Sequence, residues 1–149
     1  MSHSSVLLTR RRTLDLLHRQ IEVDVEHRLQ KYLALSIREF LALSILQSQK
    51  ESAAAQNWVY EVADGVGLSQ SATSRLLARL HKRGLITRHP SDRDRRGIDI
   101  ELSTTALDLL RRGGLLLEQA LRDASMPERH RAESRELLQY LRGPVDTAQ

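Results

Sequence analysis

The sequence predicts a mainly helical fold that contains one small β-hairpin. Along most of the 149 residues, apolar side chains recur at every third or fourth position, which is the spacing of one face of an α-helix. Residues 98–102 instead alternate between apolar and acidic side chains, which is typical of a strand. A polar turn with Pro90 and Gly97 separates this strand from residues 85–89, so the two segments are expected to pair as a hairpin.

The helices at the start of the chain are predicted from periodicity and from a capping pair. Residues 6–31 carry one apolar stripe and are expected to form a long helix. Ser36 and Glu39 match a capping box, in which both side chains bond to free backbone N–H groups, so a second helix is expected to begin there. Residues 47–57 are polar and alanine-rich, which is compatible with a longer second helix or with a loop. A short helix is expected at about 57–64.

Further capping residues place the helices around the hairpin. Ser69 is expected to cap a helix that runs to about Arg83, where Gly84 suits a left-handed C-cap. Ser103 is expected to cap a long helix after the hairpin, because residues at heptad spacing follow it. This ridge consists of Leu107, Leu110, Gly114, Leu117 and Leu121.

The C-terminal part of the chain adds a last helix and a glycine pair. Ser125 and Glu128 match a second capping box, which predicts the start of the last helix. Gly113 and Gly114 fall together inside the preceding helix, where each costs about 1 kcal/mol relative to alanine. They are expected to allow a kink or a close contact between helices.

The composition argues against several classes of protein. Cysteine is absent, which excludes disulfides and thiolate metal ligands. No stretch approaches the roughly 18 apolar residues that span a membrane. No uninterrupted apolar run follows residues 10–12, which are three arginines, so a secretory signal is not expected. The protein is therefore expected to be cytoplasmic.

The sequence gives no indication of an enzyme, a cofactor or a metal site. It contains neither a phosphate-binding glycine loop nor the motif of a catalytic nucleophile. His18, Glu22 and Glu26 share one face of the first predicted helix. Charged residues at this spacing, beside Arg19, form solvated pairs more often than they hold a metal. A small hydrolase is therefore the weakest hypothesis.

The positive charge is concentrated in one segment. Residues 69–96 hold eight basic and two acidic side chains, so this segment carries +6 whereas the whole chain carries +4. A basic segment on a neutral-to-acidic body is typical of a protein that binds a polyanion. From charge alone, a solubilising surface explains the segment equally well.

The helix predicted over 69–83 has the features of a helix that enters the major groove of DNA. Ala72, Leu76 and Leu80 lie on one face, flanked by Thr73 and Leu77, and polar or basic residues lie on the other. The candidate DNA-binding residues of this helix are Ser69, Gln70, Ser71, Thr73, Ser74, Arg75, Arg79 and Lys82.

The order of the exposed residues along this helix assigns their expected roles. Gln70, Ser71, Ser74 and Arg75 come first and would reach base edges, where arginine and glutamine can make paired hydrogen bonds. Arg79 and Lys82 would lie nearer the phosphates, where they add affinity without reading sequence. The alternative is an ordinary amphipathic surface helix.

The tip of the hairpin supplies four further candidates, which are Arg93, Asp94, Arg95 and Arg96. Arginine inserts favourably into a narrow minor groove, where the electrostatic potential is most negative. Asp94 would hold Arg96 extended by an ion pair. The alternative is a solvated turn whose ion pairs contribute about 0–1 kcal/mol.

These segments resemble the MarR (multiple antibiotic resistance regulator) family of winged helix-turn-helix regulators. Residues 68–77 resemble the recognition helix of the family, and residues 80–86 resemble its exit into the wing. Pro90, followed by residues 94–96, resembles the wing signature. Leu102 and Ser103 resemble the Leu-Thr pair at which the next long helix begins. The resemblance spans about residues 10–142, with specific motifs only in 59–106.

The resemblance implies a homodimer that binds duplex DNA. Residues 1–35 and 103–149 would form a helical dimerisation lobe, and residues 36–102 the winged helix-turn-helix lobe. The heptad ridges at both chain ends agree with this, since a monomer would leave them exposed. Such a dimer reads a pseudo-palindromic operator with half-sites about one helical turn apart. A winged-helix module that docks an acidic protein is the alternative.

The resemblance also implies a repressor that a small aromatic or anionic effector releases from DNA. The residues that resemble the effector crevice are Tyr32, Arg38, Phe40 and Trp58. For each of them, plain packing or surface exposure is the competing interpretation. The chain departs from the family in its long segment 47–57, in Ser103 and Ala106, and in the pair Gly113 and Gly114. These departures concern the pocket and the dimer rather than DNA binding.

Overall fold

The protein folds into six helices and one hairpin within the residues that the structure, a computed structural model, describes: 2–50, 58–92, 97–126 and 130–143. The elements are α1 (His3–Leu33), α2 (Ile37–Lys50), α3 (Trp58–Val66), α4 (Gln70–Lys82), β1 (Ile86–Pro90), β2 (Ile98–Leu102), α5 (Thr104–Asp123) and α6 (Arg131–Arg142). The predicted mainly helical fold with one small hairpin is therefore confirmed. In the described residues, no helix has the length and apolar character needed to cross a membrane.

The chain divides into two compact units, and the first contains residues up to Tyr32 and from Gly114 onward. Its buried cluster joins α1 to the end of α5 and to α6 and consists of Leu17, Ala124, Met126 and Leu138, with Ile21 packed against it. Beside this cluster the buried hydroxyl of Thr13 donates to the carbonyl of Thr9 and lies 3.3 Å from His130 Nδ1. Apolar burial and one buried polar contact therefore fix α6 on α1.

The start of α6 differs from the prediction. The helix begins at Arg131, and His130 occupies its N-cap position without a side-chain capping bond. The prediction that Ser125 caps this helix is therefore wrong, and its partner Glu128 lies outside the described residues. Ala124 and Met126 are both buried, and the segment that they hold against the core is not helical.

The second unit, Leu33–Gly113, begins with the predicted capping box. The backbone N–H of Glu39 donates to Ser36 Oγ at 3.1 Å, and the N–H of Ser36 donates to Glu39 Oε2 at 3.4 Å. Helix α2 then continues as far as Lys50, so the first part of segment 47–57 is helical. Residues 51–57 lie outside the described residues.

A tight turn joins α3 to α4. Helix α3 extends two residues beyond its predicted end at residue 64. The N–H groups of Gly67 and Leu68 both donate to the carbonyl of Ala63, at 2.9 and 3.0 Å. Gly67 adopts a φ of +74°, which a residue without a Cβ reaches at little cost. The turn places α3 and α4 in the order of a helix-turn-helix.

The hairpin pairs β1 with β2 in an antiparallel register that joins Ile86 to Leu102 and Pro90 to Ile98. Ile100 is buried and Leu102 is half-buried, as their predicted position on one face requires. Ile98 belongs to the same face but is 54% exposed. The register explains the difference, because Ile86 at one end of the hairpin is in the core and Ile98 pairs at the opposite end.

Gly84 and Gly114 provide a matched test of backbone conformation. Gly84 follows α4 with a φ of +70°, whereas Gly114 lies within α5, and a Cβ added at either position meets no atom within 4 Å. Because L-residues are strained at such a φ, Gly84→Ala is expected to lower the free energy of unfolding by about 1–2 kcal/mol. Gly114→Ala is expected to raise it by about 1 kcal/mol. Both changes are measurable by urea denaturation followed by circular dichroism.

The opposite result at Gly114 would also be informative. If Gly114→Ala destabilises the protein, a close contact from a second molecule would explain the loss, because no atom of this chain lies within 4 Å of the added Cβ. That outcome would support the expected close helix contact at a dimer seam and would contradict the stability gain that the single chain predicts.

Candidate nucleic-acid interface

Helix α4 begins at the cap that the sequence predicts. Ser69 has extended backbone angles, and its Oγ accepts a hydrogen bond of 3.2 Å from the N–H of Ala72. The same oxygen lies 3.3 Å from Ser71 Oγ. The first turn of α4 contains no acidic residue. Its positive helix end and its hydroxyl groups are therefore available to an anion or a base edge.

The inner face of α4 fixes the helix in the second unit. Leu76, Leu77 and Leu80 are buried almost completely. Thr73 has no exposed surface either, and its hydroxyl donates to the carbonyl of Ser69 at 2.9 Å. Including Thr73 among the DNA-binding candidates is therefore wrong, because its side chain belongs to the inner face and already has a hydrogen-bond partner.

The outer face of α4 is polar and basic over its whole length. We call the outer face the set of exposed residues Gln70, Ser71, Ser74, Arg75, Ala78, Arg79 and Lys82. Arg75, Arg79 and Lys82 form no ion pair or side-chain hydrogen bond with any described residue. Since folding does not engage these cations, their charge is available to an external anion.

The hairpin continues this basic surface only in part within the described residues. Arg88 of β1 is exposed. The N–H of Ser91 donates to the carbonyl of Gly97 at 2.9 Å, which closes the hairpin next to its tip. The candidates Arg93, Asp94, Arg95 and Arg96 lie outside the described residues, so their contribution to the site stays a prediction.

Polar contacts brace the hairpin on one side and at its base. His89 Nε2 lies 3.0 Å from Thr87 Oγ1 and 3.7 Å from Glu101 Oε2. Lys50, at the end of α2, places its Nζ 3.7 Å from the other oxygen of Glu101. His81 Nδ1 lies 3.1 Å from the carbonyl oxygen of Ile86, where β1 begins. The end of α4 is therefore tied directly to the hairpin.

Sequence reasoning missed one feature at this end of α4. Arg83 makes an ion pair with Glu39 and donates from Nη2 to the carbonyl of Ala34 at 2.9 Å. Arg83 follows Leu76 by seven residues, and this spacing places it on the apolar side of the helix rather than on the outer face. The seven-residue spacing from Leu76 is therefore a signal in the sequence by which Arg83 could have been distinguished from the cations of the outer face.

Residues 35–97 match the model of the MarR family. Comparison with curated protein sequences gives no match.

Solved structures of three regulators share the fold at low sequence identity. The transcriptional regulator BldR from Sulfolobus solfataricus is 22% identical with a TM-score of 0.64, over 94% of this chain and 99% of BldR. MepR from Staphylococcus aureus, solved as a DNA complex, is 15% identical with a TM-score of 0.61, over 86% of this chain and 90% of MepR. BpsR from Bordetella bronchiseptica, whose DNA binding is regulated by 6-hydroxynicotinic acid, is 17% identical with a TM-score of 0.61, over 88% of this chain and 91% of BpsR. These likenesses show that the chain has the winged-helix fold of MarR-type regulators.

The four effector candidates fall into different environments. Phe40 and Trp58 are 7% exposed and belong to the core of the second unit, which agrees with the competing interpretation that they are packing residues. Arg38 is exposed on α2. Tyr32 is exposed in the first unit, with the Nζ of Lys31 5.2 Å from its ring centroid.

Tyr32 lines a cavity of about 540 Å³ within the first unit. The other lining residues are Asp24, His27, Arg28, Lys31, Leu116 and Gln119. Arg28 donates to Asp24 at 3.0 Å and to Asp123 at 2.8 Å. These two bonds, first that to Asp24, raise the pKa of Arg28. Basic and aromatic groups therefore meet in one concave surface.

Among the described residues, no group of three His, Asp or Glu side chains is placed to hold a metal ion. His18 instead lies 3.5 Å from Glu22 on the exposed side of α1.

Proposed function

We propose that this chain is a member of the MarR family and a sequence-specific regulator of transcription that binds duplex DNA. The observation that carries the proposal is the outer face of α4. It presents polar side chains near a capped helix start and three cations that have no partner among the described residues. An ordinary surface helix gives no reason for this order, whereas a helix that enters the major groove by its N-terminus requires it.

In this proposal the outer face has two parts. Gln70, Ser71, Ser74 and Arg75 read base edges, because they occupy the first two turns of the helix. Arg79 and Lys82 lie further along and neutralise phosphates, so they contribute affinity that falls as salt rises. Ala78, which lies between these two parts of the outer face, is small and allows close approach to the duplex.

The hairpin acts as the wing in the same complex. Its strands are braced by Lys50 and His81, so its tip has a fixed support. Arg93, Arg95 and Arg96 at that tip enter the minor groove, and Asp94 orients Arg96. This step rests on the sequence of the tip and on the family match, since residues 93–96 are outside the described part.

We further propose that the regulator works as a homodimer on a pseudo-palindromic operator. Helices α1 and α6 carry large apolar side chains with substantial exposure, which are Leu7, Leu8, Leu14, Leu16, Val23, Leu137, Tyr140 and Leu141. A monomer rarely exposes so many apolar groups on two helices. A second copy that covers them gives two recognition helices related by two-fold symmetry.

The proposed output is repression in the cytoplasm, relieved by a small anionic or aromatic effector. The cavity beside Tyr32 supports this part, because Lys31 and His27 can face an anion while Tyr32 and Leu116 contact an apolar ring. BpsR, which shares the fold, responds to a ligand of this chemical kind. The effector itself is to be found by screening small aromatic acids against the DNA complex.

Binding of the purified protein to its own upstream intergenic duplex tests the proposal. A scrambled duplex of equal composition serves as the control, and each affinity is measured at several salt concentrations. We expect a clear preference for the native duplex and a steep decrease in affinity with salt. Equal and weak binding to both duplexes would favour the alternative, a winged-helix module that docks an acidic protein.

A further inference from the structure

The side chain of Arg83 differs in its surroundings from the other cations of the basic segment. It stands at the C-cap of α4, directly after the outer face. Its Nη1 pairs with Glu39 Oε2, and its Nη2 donates to the carbonyl oxygen of Ala34 at 2.9 Å. Arg83 therefore joins the end of the recognition helix to Ala34 in the α1–α2 connection, 49 residues earlier, and to Glu39 in the first turn of α2, 44 residues earlier.

The carboxylate of Glu39 that pairs with Arg83 is largely buried and is held in place by a second hydrogen bond. The side chain of Glu39 is only 12% exposed, and the same carboxylate oxygen also accepts the N–H of Ser36 in the capping box. A carboxylate held at the start of α2 is stabilised by the helix dipole, and its burial makes a paired cation necessary. The geometry of the guanidinium matters here, because one planar group serves a carboxylate and a carbonyl at once.

The other contact of Arg83 is with a strained part of the backbone. Ala34 has a φ of +50°, which an L-residue adopts only when its surroundings hold it there. Leu33 and Leu35 on either side are buried, so they anchor the connection on both sides of the strained residue. The carbonyl of Ala34 thus has a defined direction, and Arg83 fixes α4 to it.

We propose that Arg83 is a positioning residue that sets the orientation of the recognition helix through the α1–α2 connection. The chain passes from the first unit to the second between Tyr32 and Leu33, at the end of α1 and just before this connection. A change in the connection moves Ala34 and Glu39, and the ion pair transmits that movement to α4. The inference rests on the proposed DNA-binding function, and it assigns to Arg83 a role in specificity without contact to DNA.

The test compares Arg83→Ala with the double variant Glu39→Gln, Arg83→Ala. The double variant keeps the net charge of the chain, and glutamine retains the capping function of residue 39. Arg122→Ala is the matched control, because Arg122 is exposed on α5 and makes a surface pair with Glu118 at 3.3 Å. Affinities for the native and scrambled duplexes are measured at several salt concentrations, well below each unfolding midpoint.

We expect both Arg83 variants to lose about tenfold in affinity for the native duplex, the size typical of coupling through packed side chains. Affinity for the scrambled duplex should change less than twofold. The slope of log affinity against log salt should stay unchanged, because no phosphate contact is lost. Arg122→Ala should match the unaltered chain, and Arg83→Lys should fall between, since it keeps the charge but not the planar group.

Two results would overturn the inference while the proposed function stands. An equal loss on both duplexes, with a slope lower by about 0.9, would make Arg83 a phosphate contact. A lowered unfolding midpoint with unchanged affinities would reduce the ion pair to a structural role. If the unaltered chain itself shows no preference for the native duplex, the proposed function fails, and the inference fails with it.

Discussion

Replacing Arg75 and Arg96 together by alanine is expected to weaken binding to the native operator by about 100-fold or more. Arg75 lies on the outer face of α4, where a paired contact to a guanine contributes about 1–3 kcal/mol of discrimination. Arg96 belongs to the hairpin tip, and its proposed minor-groove contact is of a separate kind. Because the two contacts lie in different grooves, their losses should add.

The expected loss concerns binding and leaves folding intact. Arg75 is exposed and makes no ion pair or side-chain hydrogen bond with a described residue. Its removal therefore takes no partner from the fold, and surface substitutions of this type change stability by about 0.5 kcal/mol or less. Fluorescence of Trp58, the single tryptophan of the chain, reports unfolding of each variant.

A second double variant controls for the loss of two positive charges. Arg111→Ala with Arg122→Ala also removes two exposed arginines, and each of them only pairs with an acid on its own helix. This control should bind the operator nearly as well as the unaltered chain. Unchanged affinity in the Arg75→Ala, Arg96→Ala variant would count against the DNA-binding hypothesis and in favour of a protein-docking module.

The features that the sequence predicted well depend on neighbouring residues. The caps at Ser36 and Ser69 and the left-handed Gly84 are all set by chemistry within one helical turn. Heptad and three-to-four spacings likewise identified the helices themselves. Local patterns are sufficient for these features because each hydrogen bond joins residues three or four positions apart.

Other features were predicted poorly from the sequence, mainly where they depend on contacts between distant residues. Ser125 matches a helix cap, but Ala124 and Met126 on either side of it are buried in the core, and the helix begins only at Arg131. Thr73 is a different case, because the helical wheel already places it beside the apolar face and its hydroxyl bonds to the carbonyl of Ser69, four residues earlier. A single sequence contains the residues of such contacts but not the packing that selects between competing local patterns.

The Arg83 contact illustrates the same limit for the candidate site. Charge counting places Arg83 with seven other cations of residues 69–96, although Glu39 neutralises it in the fold. The helical wheel separates it from the outer face, but only the three-dimensional structure identifies its partner. On α4 the candidate site is therefore smaller than the basic segment, because Arg75, Arg79 and Lys82 have no partner among the described residues whereas Arg83 has one.

A single charge at Val23 is expected to separate the proposed dimer into monomers. Val23 is 70% exposed on α1, and Leu16, seven residues earlier, lies on the same side of this helix. Val23→Glu should therefore cost the single chain little. In a dimer that covers this side, the new carboxylate would lose its contact with water, which costs several kcal/mol.

The loss of the dimer should also reduce binding to DNA. Two linked half-site contacts exceed the affinity of one by about 10²–10⁴, so a monomeric variant should bind a full operator at least 100-fold more weakly. Sedimentation gives the oligomeric state, and circular dichroism confirms folding. The control is Gln47→Glu, which adds the same charge on the exposed part of α2. If Val23→Glu remains dimeric with full affinity, this side of α1 is not the interface. A monomeric unaltered chain that still prefers its operator would instead show that recognition needs only one winged helix.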